Sequence, residues 1–189
     1  MSFQQSRGFT LVELMIVVVI VSVLAMLAVV GYRKIIQSSH VTEATNMVQN
    51  IRVAEEAYRS ETQEYATTSG AIDDYYPASP VYEQVTGWGA DNTPKCSGAS
   101  CVKWSALPVH VDGPVLFGYA AISGLGGVAP GYAATQPEDG SPTPSFAAAP
   151  PTDWFVISAA ADLDGDKSNY THVYGVSTNN QVIVQNDGL

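Results

Sequence analysis

Basic residues are scarce in this sequence. Eight of its 189 residues are Lys or Arg, against 18 Asp and Glu, and the formal net charge is −10. Proteins that bind nucleic acids need a basic surface to neutralise phosphates, and this composition offers none. We therefore expect no nucleic-acid partner.

Cysteine and histidine are also rare, with two Cys and three dispersed His. This excludes the usual zinc sites, which need four clustered ligands. Cys96 and Cys101 flank a polar Gly/Ser-rich spacer (KCSGASC), which predicts a small disulfide loop in an oxidising compartment. No nucleophile–base arrangement or phosphate-binding glycine loop is evident, so we expect a protein that is not an enzyme.

One long stretch of the sequence lacks both helix-breaking residues and charged residues. The apolar run from Leu14 to Val30 contains no Gly or Pro and is broken only by Ser22. A run of this length predicts either a membrane-spanning helix or a signal sequence.

The helical pattern continues beyond the apolar run. Residues 9 to about 64 contain no Pro and predict one long helix, with a membrane-spanning half at 9–32 and an amphipathic half at 33–64. In the second half, apolar residues recur at steps of three and four, which indicates one covered face. These are Val41, Ala44, Met47, Ile51, Ala54, Tyr58 and Tyr65.

The composition of residues 65–189 predicts a globular antiparallel β domain, because Gly, Pro, Tyr and Ser become frequent and the runs of β-branched and aromatic residues are short. The chain is therefore expected to be α+β, with its long helix packed on the sheet. Ser123–Pro151 predicts a long surface loop, and Tyr75, Tyr76 and Trp88 are expected to pack in the core. Predicted strands are Val115–Ile122, Trp154–Ala160, Thr171–Ser177 and Gln181–Gln185, with Trp104–Val111 as a further candidate and a hairpin turn at Thr178–Asn180.

The N-terminus, MSFQQSRGFTLVELMIVVVI, combines three features at fixed offsets. A polar leader ends at Gly8, Phe9 follows, and an acid, Glu13, stands at the start of the apolar helix. This segment resembles the prepilin signal of the type IV pilin and type II secretion pseudopilin superfamily. The resemblance implies a leader at residues 1–8, cleavage after Gly8 by a prepilin peptidase, methylation of Phe9, and a pilin-like fold. It departs from many pilins at Ser22 and Val30, where those proteins carry a Gly and a Pro.

Glu13 can also be interpreted without the family. A carboxylate in hydrocarbon costs about 2.5–3.5 kcal/mol on insertion scales and needs a partner. Cleavage would create one, the Phe9 amine, and a neighbouring subunit's amine could reach Glu13 in a bundle of staggered helices. Such a pair would fix the register of assembly.

Asp162, Asp164 and Asp166 lie on alternate positions, with Gly165 between the last two. Oxygen ligands at this spacing suit Ca²⁺ as a cofactor, and the glycine permits a tight turn of the chain around the ion. The EF-hand pattern is incomplete, because Val173 occupies the position of its bidentate acid. An acidic β-turn explains the same residues equally well.

The sequence thus predicts a structural subunit of a type IV pilus, assembled through its N-terminal helix into a filament for adhesion or motility. Its partners would be copies of itself or other pilins, the prepilin peptidase, the inner membrane and the pilus assembly platform. The precursor would cross the inner membrane once, with the C-terminal domain outside the cytoplasm, and the product would be an extracellular or periplasmic filament.

Three alternatives remain open. A type II secretion pseudopilin would carry the same signal, although 181 residues after cleavage (189 − 8) favour a pilin slightly. An ordinary secretory signal cleaved after Val23-Leu24-Ala25 is a second possibility, but its apolar core would contain an acid. The third is a membrane-anchored enzyme or Ca²⁺-dependent binding protein that shares only the N-terminus with this superfamily.

Overall fold

The computed structural model describes residues 9–77, 85–89, 96, 101–131, 144, 149–165, 167 and 170–186. It has one long N-terminal helix and a C-terminal antiparallel sheet, which confirms the predicted α+β class. The elements are helix α1 (Leu11–Thr62), strands β1 (Thr86–Gly87), β2 (Pro114–Val115), β3 (Gly118–Gly124), β4 (Trp154–Ala161), β5 (Thr171–Val176) and β6 (Asn179–Gln185), and a 3₁₀ turn at Trp104–Ala106.

Helix α1 ends close to its predicted boundary, and its last turn is closed by the backbone. Gln63 adopts a left-handed conformation with φ 67°, and its N–H donates to the Arg59 carbonyl at 2.8 Å. This is the αL termination of a helix, here without the glycine that most often supplies it. The Thr62 hydroxyl also donates to the Tyr58 carbonyl, 2.9 Å away.

The chain divides into two compact units, residues 1–36 and 37–189. In the second unit, one face of α1 is buried against the sheet domain. The predicted stripe is confirmed at five positions, Tyr58 is half-buried, and Tyr65 is buried after the helix ends. Two further residues, Val48 and Glu55, belong to the buried face, which comprises Val41, Ala44, Met47, Val48, Ile51, Ala54 and Glu55.

The main sheet is antiparallel, with strand order β3-β4-β5-β6. Every residue of β4 is buried, so both faces of this strand are covered. Phe155 and Ile157 belong to the same core cluster as the buried face of α1. On the opposite face, Trp154 and Val156 pack with Val176 and Ile72. Alternation along the strand therefore divides the core into two layers.

The segment after α1 covers the free edge of β3. Tyr76 exchanges backbone hydrogen bonds with Tyr119 at 2.7 and 2.6 Å, and the N–H groups of Thr68 and Ser69 both donate to the Ala121 carbonyl. Tyr75 is buried on the other face and its hydroxyl lies 3.4 Å from the Ser158 hydroxyl. The prediction that Tyr75, Tyr76 and Trp88 serve as packing is confirmed, since the ring of half-buried Trp88 contacts Tyr76 with centroids 5.1 Å apart.

Several predicted strand boundaries need correction. The predicted strand Val115–Ile122 is divided into β2 and β3, and β1, which pairs with β2, was not predicted. The hairpin joining β5 and β6 is confirmed, but its turn lies at Ser177-Thr178, so β6 begins earlier than expected, at Asn179.

The predicted strand Trp104–Val111 is wrong. Its first three residues form a 3₁₀ turn, and Leu107–Val111 pairs with no strand in the described part of the chain. Pro108 cannot donate to a ladder, and the Val109 N–H bonds back to the Leu107 carbonyl at 2.7 Å. The β-like composition instead reflects packing, because Trp104 is buried and stacks on Tyr76 with centroids 5.8 Å apart.

The predicted loop Ser123–Pro151 begins inside β3, which extends to Gly124. Residues 132–143 and 145–148 of this loop lie outside the described residues. Three hydrogen bonds fix its two ends. They run from Gly127 N to Pro150 O (2.7 Å), from Gly126 N to Asp153 Oδ1 (2.9 Å) and from Trp154 Nε1 to Val128 O (2.9 Å).

Candidate processing and assembly site

The N-terminal half of α1 presents a continuous apolar surface. Phe9 is 90% exposed, and all apolar residues from Leu11 to Val30 are exposed as well. Helix α1 is long and apolar enough to cross a membrane. Such a surface is unfavourable in water and needs lipid or other helices around it.

The start of α1 is organised by Thr10 and Glu13. The Glu13 carboxylate Oε2 accepts hydrogen bonds from the Thr10 N–H and the Thr10 hydroxyl, both at 2.8 Å. In return, the Glu13 N–H donates to Thr10 Oγ1 at 3.2 Å. This is a capping box, in which the first residue of the motif and an acid three positions later satisfy each other's backbone donors.

The capping box gives Glu13 polar partners within its own chain. Before assembly, its carboxylate already accepts two hydrogen bonds from Thr10. Sequence reasoning missed Thr10, although the pattern of a Thr followed by a Glu three residues later was available as a signal. The Glu13 carboxylate is therefore oriented by the first turn of its own helix.

Ser22, the polar residue inside the apolar run, has its hydrogen bond satisfied locally. Its hydroxyl donates to the Val18 carbonyl one turn earlier, at 2.7 Å. A hydroxyl bonded in this way costs little in an apolar environment. Ser22 therefore does not interrupt α1.

Two predicted sites lie at the edge of what the structure describes. Gly8 is outside the described residues, whereas Phe9 stands two residues before the first residue of α1. Cys96 and Cys101 form a disulfide with their Cα atoms 5.6 Å apart. The loop is attached to the sheet domain, because the Val102 N–H donates to the Thr67 carbonyl at 2.9 Å.

The acidic segment after β4 is described only in part, since Asp166 lies outside the described residues. Asp162 is buried, and its Oδ1 accepts the Gly165 N–H at 2.7 Å, while Asp164 is exposed. Gly165 has φ 83°, a conformation that glycine adopts without strain. Among the residues that the structure describes, no group of three or more His, Cys, Asp or Glu could hold a metal ion.

Two charged residues of α1 have roles that the periodicity did not indicate. Arg52 does not belong to the predicted apolar stripe of α1, but its guanidinium reaches the β5–β6 turn. Nη1 donates to the Asn180 carbonyl at 2.9 Å, and Nη2 donates to the carbonyls of Asn179 (2.9 Å) and Val176 (3.3 Å). The Arg52 hydrogen bonds therefore connect helix α1 to the β5–β6 turn of the sheet.

The second is Glu55, which is fully buried. Its Oε2 accepts the Ala66 N–H at 2.9 Å, whereas Oε1 is buried without a hydrogen-bond partner among the described residues. Burial raises the pKa of Glu55 to about 8, although the Ala66 hydrogen bond opposes the shift and the nearby Glu56 charge adds to it. The carboxyl group is therefore largely protonated at neutral pH. Its helical spacing from Val48 and Ile51 is the signal by which the sequence could have placed it on the buried face.

Comparison with known proteins supports the interpretation of the N-terminus. The family model described as the prokaryotic N-terminal methylation motif matches residues 4–29. No curated protein and no solved structure matches the chain significantly. The matched segment contains Gly8, Phe9, the Thr10–Glu13 capping box and nearly all of the apolar run. The N-terminus of this chain is therefore a prepilin signal, of the kind that type IV pilins and pseudopilins carry.

Proposed function

We propose that this chain is a prepilin whose mature form, starting at Phe9, is a structural subunit of a type IV pilus. The observation that carries the proposal is the exposed apolar half of α1, with one carboxylate near its start, within the matched methylation motif. A subunit with this surface can reside in the inner membrane and later exchange lipid for the helices of other subunits. Copies of the chain or other pilins are its partners, and adhesion or motility is its role.

Glu13 is the residue that selects the register. Within the membrane or a helix bundle, water is excluded, and an opposite charge on an incoming chain is strongly favoured. The Phe9 amine exposed by cleavage after Gly8 is such a charge. Each subunit then offers both groups of the pair, which supports repeated addition in one direction.

The first test concerns processing. Mass spectrometry of the protein from cells with an active prepilin peptidase should give an N-terminus at Phe9 carrying one methyl group. Cells without the peptidase should retain residues 1–8. A mature N-terminus at Met26 would support an ordinary secretory signal and contradict the proposal.

The second test separates assembly from helix capping. Glu13→Ala should leave insertion and cleavage intact but lower the ratio of sheared filaments to membrane-pool protein at least tenfold. Thr10→Ala is the matched control, because it removes the side-chain partner in the capping box and keeps the carboxylate. Equal losses in the two variants, or no loss in Glu13→Ala, would overturn the register role.

A type II secretion pseudopilus is the alternative within the same superfamily, since the matched motif is common to both. Deletion of the gene distinguishes them. Loss of surface filaments with normal protein secretion supports a pilus, whereas loss of secretion without loss of surface filaments supports a pseudopilus.

A further inference from the structure

Two adjacent cations, Arg33 and Lys34, follow the apolar run of α1. They are the only neighbouring pair among the eight Lys and Arg of the sequence, and both side chains are exposed. Residues 11–30 of the helix extend about 30 Å at 1.5 Å per residue, which is the thickness of the hydrocarbon core of a bilayer. When this segment spans a membrane, Arg33 and Lys34 therefore lie at the level of the lipid headgroups.

Neither cation has an acidic partner on its own helix. Side chains on a helix meet at steps of three and four residues. At these steps before and after Arg33 and Lys34, the helix holds only uncharged residues, which are Val29, Val30, Gly31, Ile36, Gln37 and Ser38. Neither side chain makes an ion pair or a hydrogen bond with a residue that the structure describes. Both charges are therefore available to a group outside the chain.

The helical turn around the two cations is amphipathic. Tyr32, Ile35 and Ile36 stand three and four residues apart and share one face of α1. Their side chains are 67%, 69% and 40% exposed. Arg33 and Lys34 point away from this face, because successive residues are rotated by about 100° around the helix axis. Tyr is enriched at membrane interfaces, and the charged ends of Arg and Lys extend from apolar surroundings towards the headgroups. The turn therefore has the apolar face and the cationic face that a lipid interface requires.

The charges of the protein favour an anionic lipid at this turn. Residues 37–189 contain five basic residues against 17 acidic ones, whereas residues 9–36 contain Arg33, Lys34 and one acid, Glu13. Attraction to an anionic surface therefore depends on this pair. A zwitterionic headgroup offers a phosphate together with a competing cation, but an anionic headgroup offers the phosphate without that competitor.

The side of the membrane on which the pair lies is a further argument for a ligand. Cytoplasmic flanks of membrane spans usually carry the excess of Lys and Arg. In the orientation of a prepilin, the leader at residues 1–8 supplies Arg7 alone to the cytoplasmic side, and Arg33 and Lys34 lie outside. Two cations on the outer side oppose the general trend, which indicates that they have an anionic ligand there.

We propose that Arg33 and Lys34 bind the phosphate groups of anionic phospholipids in the outer leaflet of the membrane. Tyr32 and Ile35 lie among the upper parts of the acyl chains on the other face of the turn. Anionic lipid then surrounds the subunit for as long as it stays in the membrane. The inference rests on the membrane residence of the proposed function, and all its residues belong to the unit formed by residues 1–36.

The test uses the full-length protein in phosphatidylcholine vesicles with a trace of spin-labelled phosphatidylglycerol or spin-labelled phosphatidylcholine. Electron paramagnetic resonance gives the association constant of each labelled lipid with the protein. At low salt, we expect phosphatidylglycerol to associate at least twofold more strongly than phosphatidylcholine. In 1 M NaCl the preference should disappear, because salt screens the charges. Equal association of the two lipids at low salt would overturn the proposal.

Flotation of the same vesicles distinguishes this failure from failure of the proposed function. Protein that does not float with the vesicles would contradict membrane residence itself, and the lipid site with it. Protein that floats but shows no preference for phosphatidylglycerol would contradict the lipid site alone.

Variants locate the binding groups. Arg33→Gln combined with Lys34→Gln should reduce the ratio of the two association constants to about one, and Arg33→Lys alone should retain the preference because it keeps the charge. Lys103→Gln is the matched control, since it removes an exposed cation from the sheet domain, and it should leave the ratio unchanged. A preference that persists in the double variant would refute the site.

A soluble phosphate and a second copy of the chain are the other possible partners. Millimolar glycerol 1-phosphate at constant ionic strength should leave the preference for phosphatidylglycerol unchanged, and its loss would identify a soluble phosphate as the ligand instead. Energy transfer between labelled copies in the same vesicles should be equal for wild type and the double variant. Weaker transfer in the double variant, without lipid preference in wild type, would identify acidic residues of a second copy and contradict the proposal.

Discussion

Gly175 of β5 lies directly against Val48 of α1. A Cβ built on Gly175 would stand 2.7 Å from Val48 Cγ1 and 3.4 Å from Arg52 Nη2. The absence of a side chain at Gly175 therefore sets the distance between helix and sheet at this point. The register of β5 and β6 also shifts here, between Tyr174 and Val176, so close approach and irregular pairing coincide.

This contact predicts that Gly175→Ala destabilises the protein by about 1–3 kcal/mol, because a methyl group would be forced into a filled space. Urea unfolding followed by tryptophan fluorescence measures the change. Gly87→Ala is the control, since a Cβ at Gly87 meets nothing within 4 Å. Adding Val48→Ala should recover part of the loss relative to additive effects, and strict additivity would contradict a direct clash.

Because of Glu55, we expect the free energy of unfolding to fall as the pH rises. Its pKa is raised from 4.5 to about 8 in the folded protein, so the folded state holds a proton that the unfolded state has lost between these values. The contribution of Glu55 to the free energy of unfolding should therefore decline by roughly 1.4 kcal/mol per pH unit between these two pKa values, and it should be absent at higher pH. Glu55→Gln should remove this slope while the side-chain oxygen still accepts the Ala66 N–H. Melting curves at pH 5, 6, 7 and 8 test this, and parallel pH profiles for wild type and variant would contradict it.

The disulfide predicts that the native, non-reduced protein has no alkylatable thiol. Cys96 and Cys101 enclose a short loop, so the chain-entropy account gives a modest stabilisation of about 2 kcal/mol. Mass spectrometry after iodoacetamide treatment should show no added label, and two labels after reduction in denaturant. Labelling of the native protein would show the disulfide to be absent.

Binding of Ca²⁺ by Asp162, Asp164 and Asp166 stays a prediction. If these residues bind Ca²⁺, saturating ion should raise the melting temperature by on the order of 5 °C relative to chelator, because the ligand binds the native state. Asp164→Asn should abolish the difference, whereas Asp73→Asn, at an exposed position in another loop, should retain it. Identical melting curves with Ca²⁺ and with chelator would leave the acidic turn, closed by Asp162 on Gly165, as the explanation.

The prepilin signal could be recognised from the sequence because its parts are local. Gly8, Phe9, Glu13 and the apolar run stand at fixed covalent offsets, so no tertiary structure is needed to bring them together. The buried stripe of α1 was equally accessible, since a period of 3.6 residues places Val41, Ala44 and Ile51 on one face whatever covers them. Even the capping box could have been found, because it depends on residues three apart.

Tertiary structure decided what depends on residues distant in the chain. Arg52 had the spacing of an exposed residue, and its hydrogen bonds to the carbonyls of Asn179 and Asn180, 127 and 128 positions away, required the β5–β6 turn to be in place. The run from Trp104 had the composition of a strand, but burial against Tyr76 outweighed that local preference. The same holds for Gly175 beneath Val48, and for Tyr119, whose hydroxyl is buried without a hydrogen-bond partner among the described residues. Periodicity identifies which face of a helix or strand is buried. Which atoms lie against that face depends on packing, which is a property of the whole fold.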